Sequence, residues 1–121
     1  MIVITCIRPE VIHKIRARGE GTLELWSVQN VLAAESLRPG DIAFVTEEGE
    51  EDIKRGVEGI VVRVERVHVD YRRINNNHGD EWDIKAARIR VSHIGNARVN
   101  QTARGRTLLA DVDMHDHLLI G

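Results

Sequence analysis

Three groups of residues in the 121-residue chain have types and spacings suited to chemistry. Arg88 and Arg90 sit two apart and share one face of any strand that carries them, with Arg98, Arg104 and Arg106 close behind. Guanidinium groups gathered in this way hold phosphates through paired N–H donors. Thr22, Glu24 and Trp26 alternate with Leu23 and Leu25, so a strand there turns the two leucines inward. Its other face carries a hydroxyl, a carboxylate and an indole, a combination suited to a pocket wall or an interface. Asp111, Asp113, His115 and His117 also alternate, and His-x-His on a strand can offer two imidazoles to a zinc-like ion. All four lie in one segment without a partner elsewhere, the pattern of a solvated strand end, so no metal and no cofactor are assigned.

Nucleophilic catalysis lacks its local signatures. The chain has no Gly-x-Ser-x-Gly elbow, no Gly-x-x-x-x-Gly-Lys loop and no Gly-x-Gly-x-x-Gly turn. Cys6, the only cysteine, stands between Ile4 and Ile7 and reads as a small core residue of a first strand. His68 and His93 fall on strands and His78 in a loop, with no spacing that matches a motif.

The elements that must carry these residues follow from periodicity and turn chemistry. Residues 1–7 form the first strand. Pro9 opens a short helix with Glu10 in its first turn, Val11, Ile12 and Ile15 on one stripe, and Gly19 as its left-handed cap. After the 22–26 strand, Ser27 caps a second helix, with Val28, Val31 and Leu32 facing inward. Arg38-Pro39-Gly40-Asp41 has the chemistry of a type II turn, and Ile42, Phe44 and Thr46 continue as a strand. Two long strands, 60–71 and 82–93, each change apolar phase once, at Glu65/Arg66 and at Ala86/Ala87. Polar hairpin loops are expected at 72–81 and 95–106, and a last strand at 107–114. Paired phase slips in neighbouring strands bend a sheet until it closes, which predicts a small, strongly coiled β-barrel.

Composition agrees. The 14 Val and 13 Ile against 8 Leu favour a mainly β, α+β fold with short helices over a bundle. The length suits one domain spanning 1–121. Apolar runs reach only four or five residues, which excludes a membrane-spanning helix of roughly 20 residues and predicts a cytoplasmic protein. Net charge is −2, but the signs are segregated. Residues 47–52 hold five acids, while 84–106 hold six basic residues and no acid, a local charge able to attract an anion. Only four aromatic rings occur, which excludes a broad base-stacking platform and leaves room for one or two stacked bases.

The order of short motifs carries a resemblance. Thr22-Leu23-Glu24-Leu25-Trp26 leads through a short helix to Leu37-Arg38-Pro39-Gly40-Asp41, then to Phe44-Val45-Thr46 and the glycine-flanked stretch 56–62. Over about residues 5–99 the chain resembles an uncharacterised archaeal family of PUA-like proteins and is similar to ASCH domains. The resemblance implies a pseudobarrel of five or six strands with a helix-lined cleft. It also implies binding of RNA or a modified nucleotide near Thr22, Glu24, Trp26, Ser27 and Asn30. Some small ASCH-like proteins resemble amidohydrolases of acylated cytidines that use a Lys, a Thr and a Glu. Thr22 matches the Thr, but Gly19 stands where the Lys would be.

These readings predict a non-enzymatic module whose cleft binds RNA or a modified nucleotide through Thr22, Glu24, Trp26, Ser27, Asn30, Arg88 and Arg90. The alternatives are a small amidohydrolase of modified nucleosides using Thr22 and a carboxylate, and a structural module that forms a homodimer through the Trp26 face or an edge strand.

Overall fold

The structure, a computed structural model, describes residues 1–75, 79 and 81–115, leaving aside the side chains of 72–75 and 81–84. Six strands and two short helices follow in the order β1 (Ile2–Ile4), α1 (Pro9–Arg18), β2 (Glu20–Leu25), α2 (Val28–Ser36), β3 (Ile42–Val45), β4 (Glu58–Asn75), β5 (Glu81–Arg104) and β6 (Leu108–His115). A 3-10 turn at Glu50–Asp52 lies in the acidic stretch. The sheet order is β2-β5-β4-β3-β1-β6, and β6 pairs with β5 as well as β1. Five strands therefore close a ring, with β2 attached to the outer side of β5. The mainly β, α+β architecture expected from β-branched content is present, at 53% strand. Among the described residues, no helix is long and apolar enough to cross a membrane.

Local chemistry sets the connections. Gly19 ends α1 at φ 82°, its N–H donating to Ile15 O at 2.8 Å. Ser27 Oγ accepts from Asn30 N–H at 3.1 Å and so caps α2. Gly40 takes φ 96°, and Asp41 N–H donates to Arg38 O at 3.0 Å, closing the Pro39-Gly40 turn. Three expectations need correcting here. β1 stops at Ile4, because Cys6 adopts φ 56° and turns away as an exposed residue, not a core one. Val28 is 78% exposed, and Ala33 and Ala34 take the inward positions of α2 with Val31. The polar stretch 95–106 is not a loop: β5 runs through it to Arg104, because its backbone pairs with β6.

Two apolar clusters divide the interior. Val3, Phe44, Val61, Ala97, Val99, Leu108 and Ala110 come from all five ring strands and fill the ring. Ile12 and Ile15 of α1, Leu23 and Leu25 of β2, Val31, Ala33 and Ala34 of α2, and strand residues such as Val62, Ile89 and Val91 form the second cluster, between sheet and helices. Adjacent residues of β1, β3 and β4 alternate between these layers, and bulges adjust the phase along the long strands. Glu65 is the extra residue of β4, so Val62 and Val64 before it, and Val67 and Val69 after it, pack on the same helix-facing cluster. The slip expected at Glu65/Arg66 is therefore present.

On β5 the irregularities lie elsewhere. Ala86 and Ala87 pair regularly with Asp70 and Val69, and the unpaired extra residues are Ile94 and Asn100. Ile94 reverses the facing of β5. Ala87, Ile89 and Val91 meet the helices, whereas Ala97 and Val99, at the same sequence parity, point into the ring. Beyond the core, β4 and β5 continue as a two-stranded ribbon that α2 holds at its flank. Lys85 Nζ lies 2.8 Å from Glu35 Oε2 and 4.9 Å from the centre of the Tyr71 ring, and Tyr71 OH donates to Glu35 at 3.4 Å.

Candidate functional site

The outward face of β2, β5 and β4 gathers the arginines. Across the ladders, Thr22 pairs with Arg90 and Arg90 with Arg66; one step along, Glu24 pairs with Arg88 and Arg88 with His68. Two rows of three side chains thus cross the three strands, all exposed, with neighbours on adjacent strands about 4.8 Å apart. Thr22, Arg66, His68, Arg88 and Arg90 line one open depression of about 470 Å³.

Its charges are partly answered. Arg90 reaches Glu20 at 2.6 Å and, more loosely, Thr22 Oγ1 at 3.5 Å; Arg88 reaches Glu24 at 3.3 Å, and His68 Nε2 meets Asp70 at 2.7 Å. Arg66 makes no ion pair among the described residues, yet it stands directly opposite Arg90. Like charges in that position oppose sheet pairing. An anion bound between them would remove the penalty and gain two guanidinium contacts.

Thr22 also borders two depressions along the free edge of β2. One, of about 470 Å³, is lined by Cys6, Ile7, Arg8, Val11, Thr22, Leu23, Glu24 and Trp26. Trp26 is 68% exposed and Leu23 and Leu25 are fully buried, the alternation read from the sequence. The other, of about 460 Å³, places Lys14 of α1 beside Glu20, Thr22 and Arg90. Thr22, Glu24, Trp26, Arg88 and Arg90 are therefore brought to one continuous surface around β2.

Ser27 and Asn30 are not part of it. The Ser27 hydroxyl is engaged in the cap, and Asn30 is buried at 4% exposure with both ends of its amide on Thr5. Its Nδ2 donates to Thr5 O at 2.8 Å, and its Oδ1 accepts from Thr5 N–H at 3.0 Å and from the Thr5 hydroxyl at 3.3 Å.

Arg98 and Arg104 lie away from the basin, paired with Glu58 and Glu50. Among the described residues, no three His, Cys, Asp or Glu side chains are grouped to hold a metal; His117, Asp116 and His78 lie outside them.

Sequence reasoning missed Arg66, His68, Lys14 and Glu20. For Arg66 and His68 the signal was present, since one extra residue at Glu65 sets both on the polar face of β4. Lys14 had no such signal, because only the packing of α1 beside β2 brings it to Thr22.

No curated protein and no solved structure matches the chain. A family model described as a protein of unknown function (DUF473) matches residues 1–112, nearly its whole length, and the chain belongs to that family.

Proposed function

We propose that the chain is a non-enzymatic binding module for RNA or a modified nucleotide, built as a PUA/ASCH-like coiled barrel. The observation that carries this reading is the opposed pair Arg66 and Arg90 in a basin shared with Thr22, Arg88 and His68. Phosphate oxygens occupy the arginine rows, a base stacks on exposed Trp26, and Thr22 and Glu24 between them hydrogen-bond sugar or base. The test is fluorescence anisotropy of short single-stranded RNA over a range of salt. Affinity should fall steeply with salt as bound counterions are released, and Arg88→Ala/Arg90→Ala should weaken it and flatten the salt slope. Binding indifferent to salt or to that double variant overturns the reading.

A second reading rests on one observation: Lys14 shares a cavity with Thr22 and Glu20, supplying a lysine that the sequence order left missing. On this reading the site hydrolyses the amide of an N4-acylated cytidine, water being consumed and cytidine and a carboxylate released. Turnover that persists unchanged in Thr22→Ala and Lys14→Ala excludes it.

A further inference from the structure

We propose a second, separate binding site for a phosphorylated small molecule in the cleft where α1 meets the β4 and β6 ends of the strand ring. Arg16, Glu58, Gly59, Asn96 and His115 line a depression of about 310 Å³ that has no lining residue in common with the Arg66–Arg90 basin. That volume is at the small end of the roughly 300–1,000 Å³ typical of ligand pockets, so it suits a sugar phosphate and not a polymer.

The polar groups are arranged for an oxyanion. Arg16 Nε donates to Asn96 Oδ1 at 2.8 Å, which fixes the guanidinium while leaving its two terminal nitrogens for a ligand. Glu58 is held by Arg98 at 2.9 Å, so the carboxylate charge is answered and Arg16 remains as the surplus cation. Asn96 stands two residues beyond the Ile94 bulge, the kind of irregularity that re-aims side chains at binding sites. His93 lies close enough to Arg16 to feel its charge, and its buried Nε2 has no hydrogen-bond partner. A phosphate takes the Arg16 side, and a ligand hydroxyl donates to Glu58.

The experiment titrates the full chain with inorganic phosphate, ribose 5-phosphate and ribose, following the His93 and His115 imidazole resonances by NMR and taking the affinity of this site from their shifts alone. Ribose 5-phosphate should bind several-fold tighter than phosphate, and ribose alone should not bind. Arg16→Gln, at an exposed helical position, should weaken binding roughly ten- to hundredfold, the value of a charge-assisted contact. Asn96→Ala should weaken it less, and Arg88→Ala/Arg90→Ala should leave it unchanged. The proposal is overturned by unmoved imidazoles at about 20 mM of either phosphate compound, a concentration well above the Kd expected here. Full affinity in Arg16→Gln, or loss of binding in the basin double variant, overturns it equally.

Discussion

Glu20 holds Arg90 at 2.6 Å from a position two residues along β2 from Thr22, so the carboxylate competes for the same guanidinium that an incoming phosphate needs. Glu20→Gln should therefore raise RNA affinity by about two- to fivefold, a modest gain because both side chains are solvent-exposed. Arg90→Ala should lower it and reduce the magnitude of the salt slope by about one. Anisotropy titrations at several salt concentrations measure both effects. Unchanged affinity in both variants would remove Arg90 from the binding surface.

Asn30 should prove structural. Replacing it with Ala leaves the buried N–H and C=O of Thr5 without partners, and about 2–4 kcal/mol of stability should be lost. Chemical denaturation gives the value. A loss well under 1 kcal/mol would mean that water replaces the amide.

At Gly59, β4 leaves no room for a side chain beside β3. A Cβ there would come within 2.7 Å of Phe44 Cζ and also collide with the carbonyl oxygen of Val45. Since Phe44 fills the ring and cannot retreat, Gly59→Ala should cost about 1–3 kcal/mol through overpacking. Thermal unfolding of the variant tests this.

Burial, joined by repulsion from Arg16, holds His93 below its ordinary value of 6.5, while hydrogen bonds to Asn96 and Gly95 act in the other direction. In the window beneath 6.5 the unfolded chain thus binds more protons at this position than the folded one. Stability from this group is complete above 6.5, declines as pH falls through the folded value, and then levels off. Denaturation midpoints measured from about pH 7.5 to 5 should show that decline, and His93→Gln should flatten it.

The hydrogen bond from Lys85 holds the Glu35 carboxyl below its ordinary range, and Glu35 raises Lys85 in return. Lys85→Ala should free the ribbon from α2 and speed amide hydrogen exchange at 67–71 and 85–89, with β1, β3, β6 and the ring-lining parts of β4 and β5 unaffected. Acidification through the folded value of Glu35 should have the same effect, because protonation removes the charge that Lys85 binds.

What the sequence revealed depended on range. The α1 cap at Gly19, the Ser27 cap and the Pro39-Gly40 turn were legible because each is decided within four residues. The Glu65 slip was legible because strong Val alternation continues on both sides of it. The supposed slip at Ala86/Ala87 misled because the ribbon leaves the core there, and apolar alternation no longer reports a buried face; Lys85 and Ala86 are only half-buried. The bulges at Ile94 and Asn100 were hidden in polar sequence that resembled a loop, since the ring needs only Ala97 and Val99 from that stretch. At the site, alternation correctly exposed Thr22, Glu24 and Trp26. The withdrawal of Asn30 into the interior could not be read, because its partner Thr5 is 25 residues away.

The backbone of β5 runs unbroken past the extra residue at Ile94 from the helix-facing interior into the ring. Melting the helix layer would drag on the segment that plugs the ring, and emptying the ring would tug at the wall beneath the helices. Neither half has a seam along which to come apart alone, so denaturant should take the protein apart in one step, with fluorescence and far-ultraviolet dichroism tracing superimposable curves.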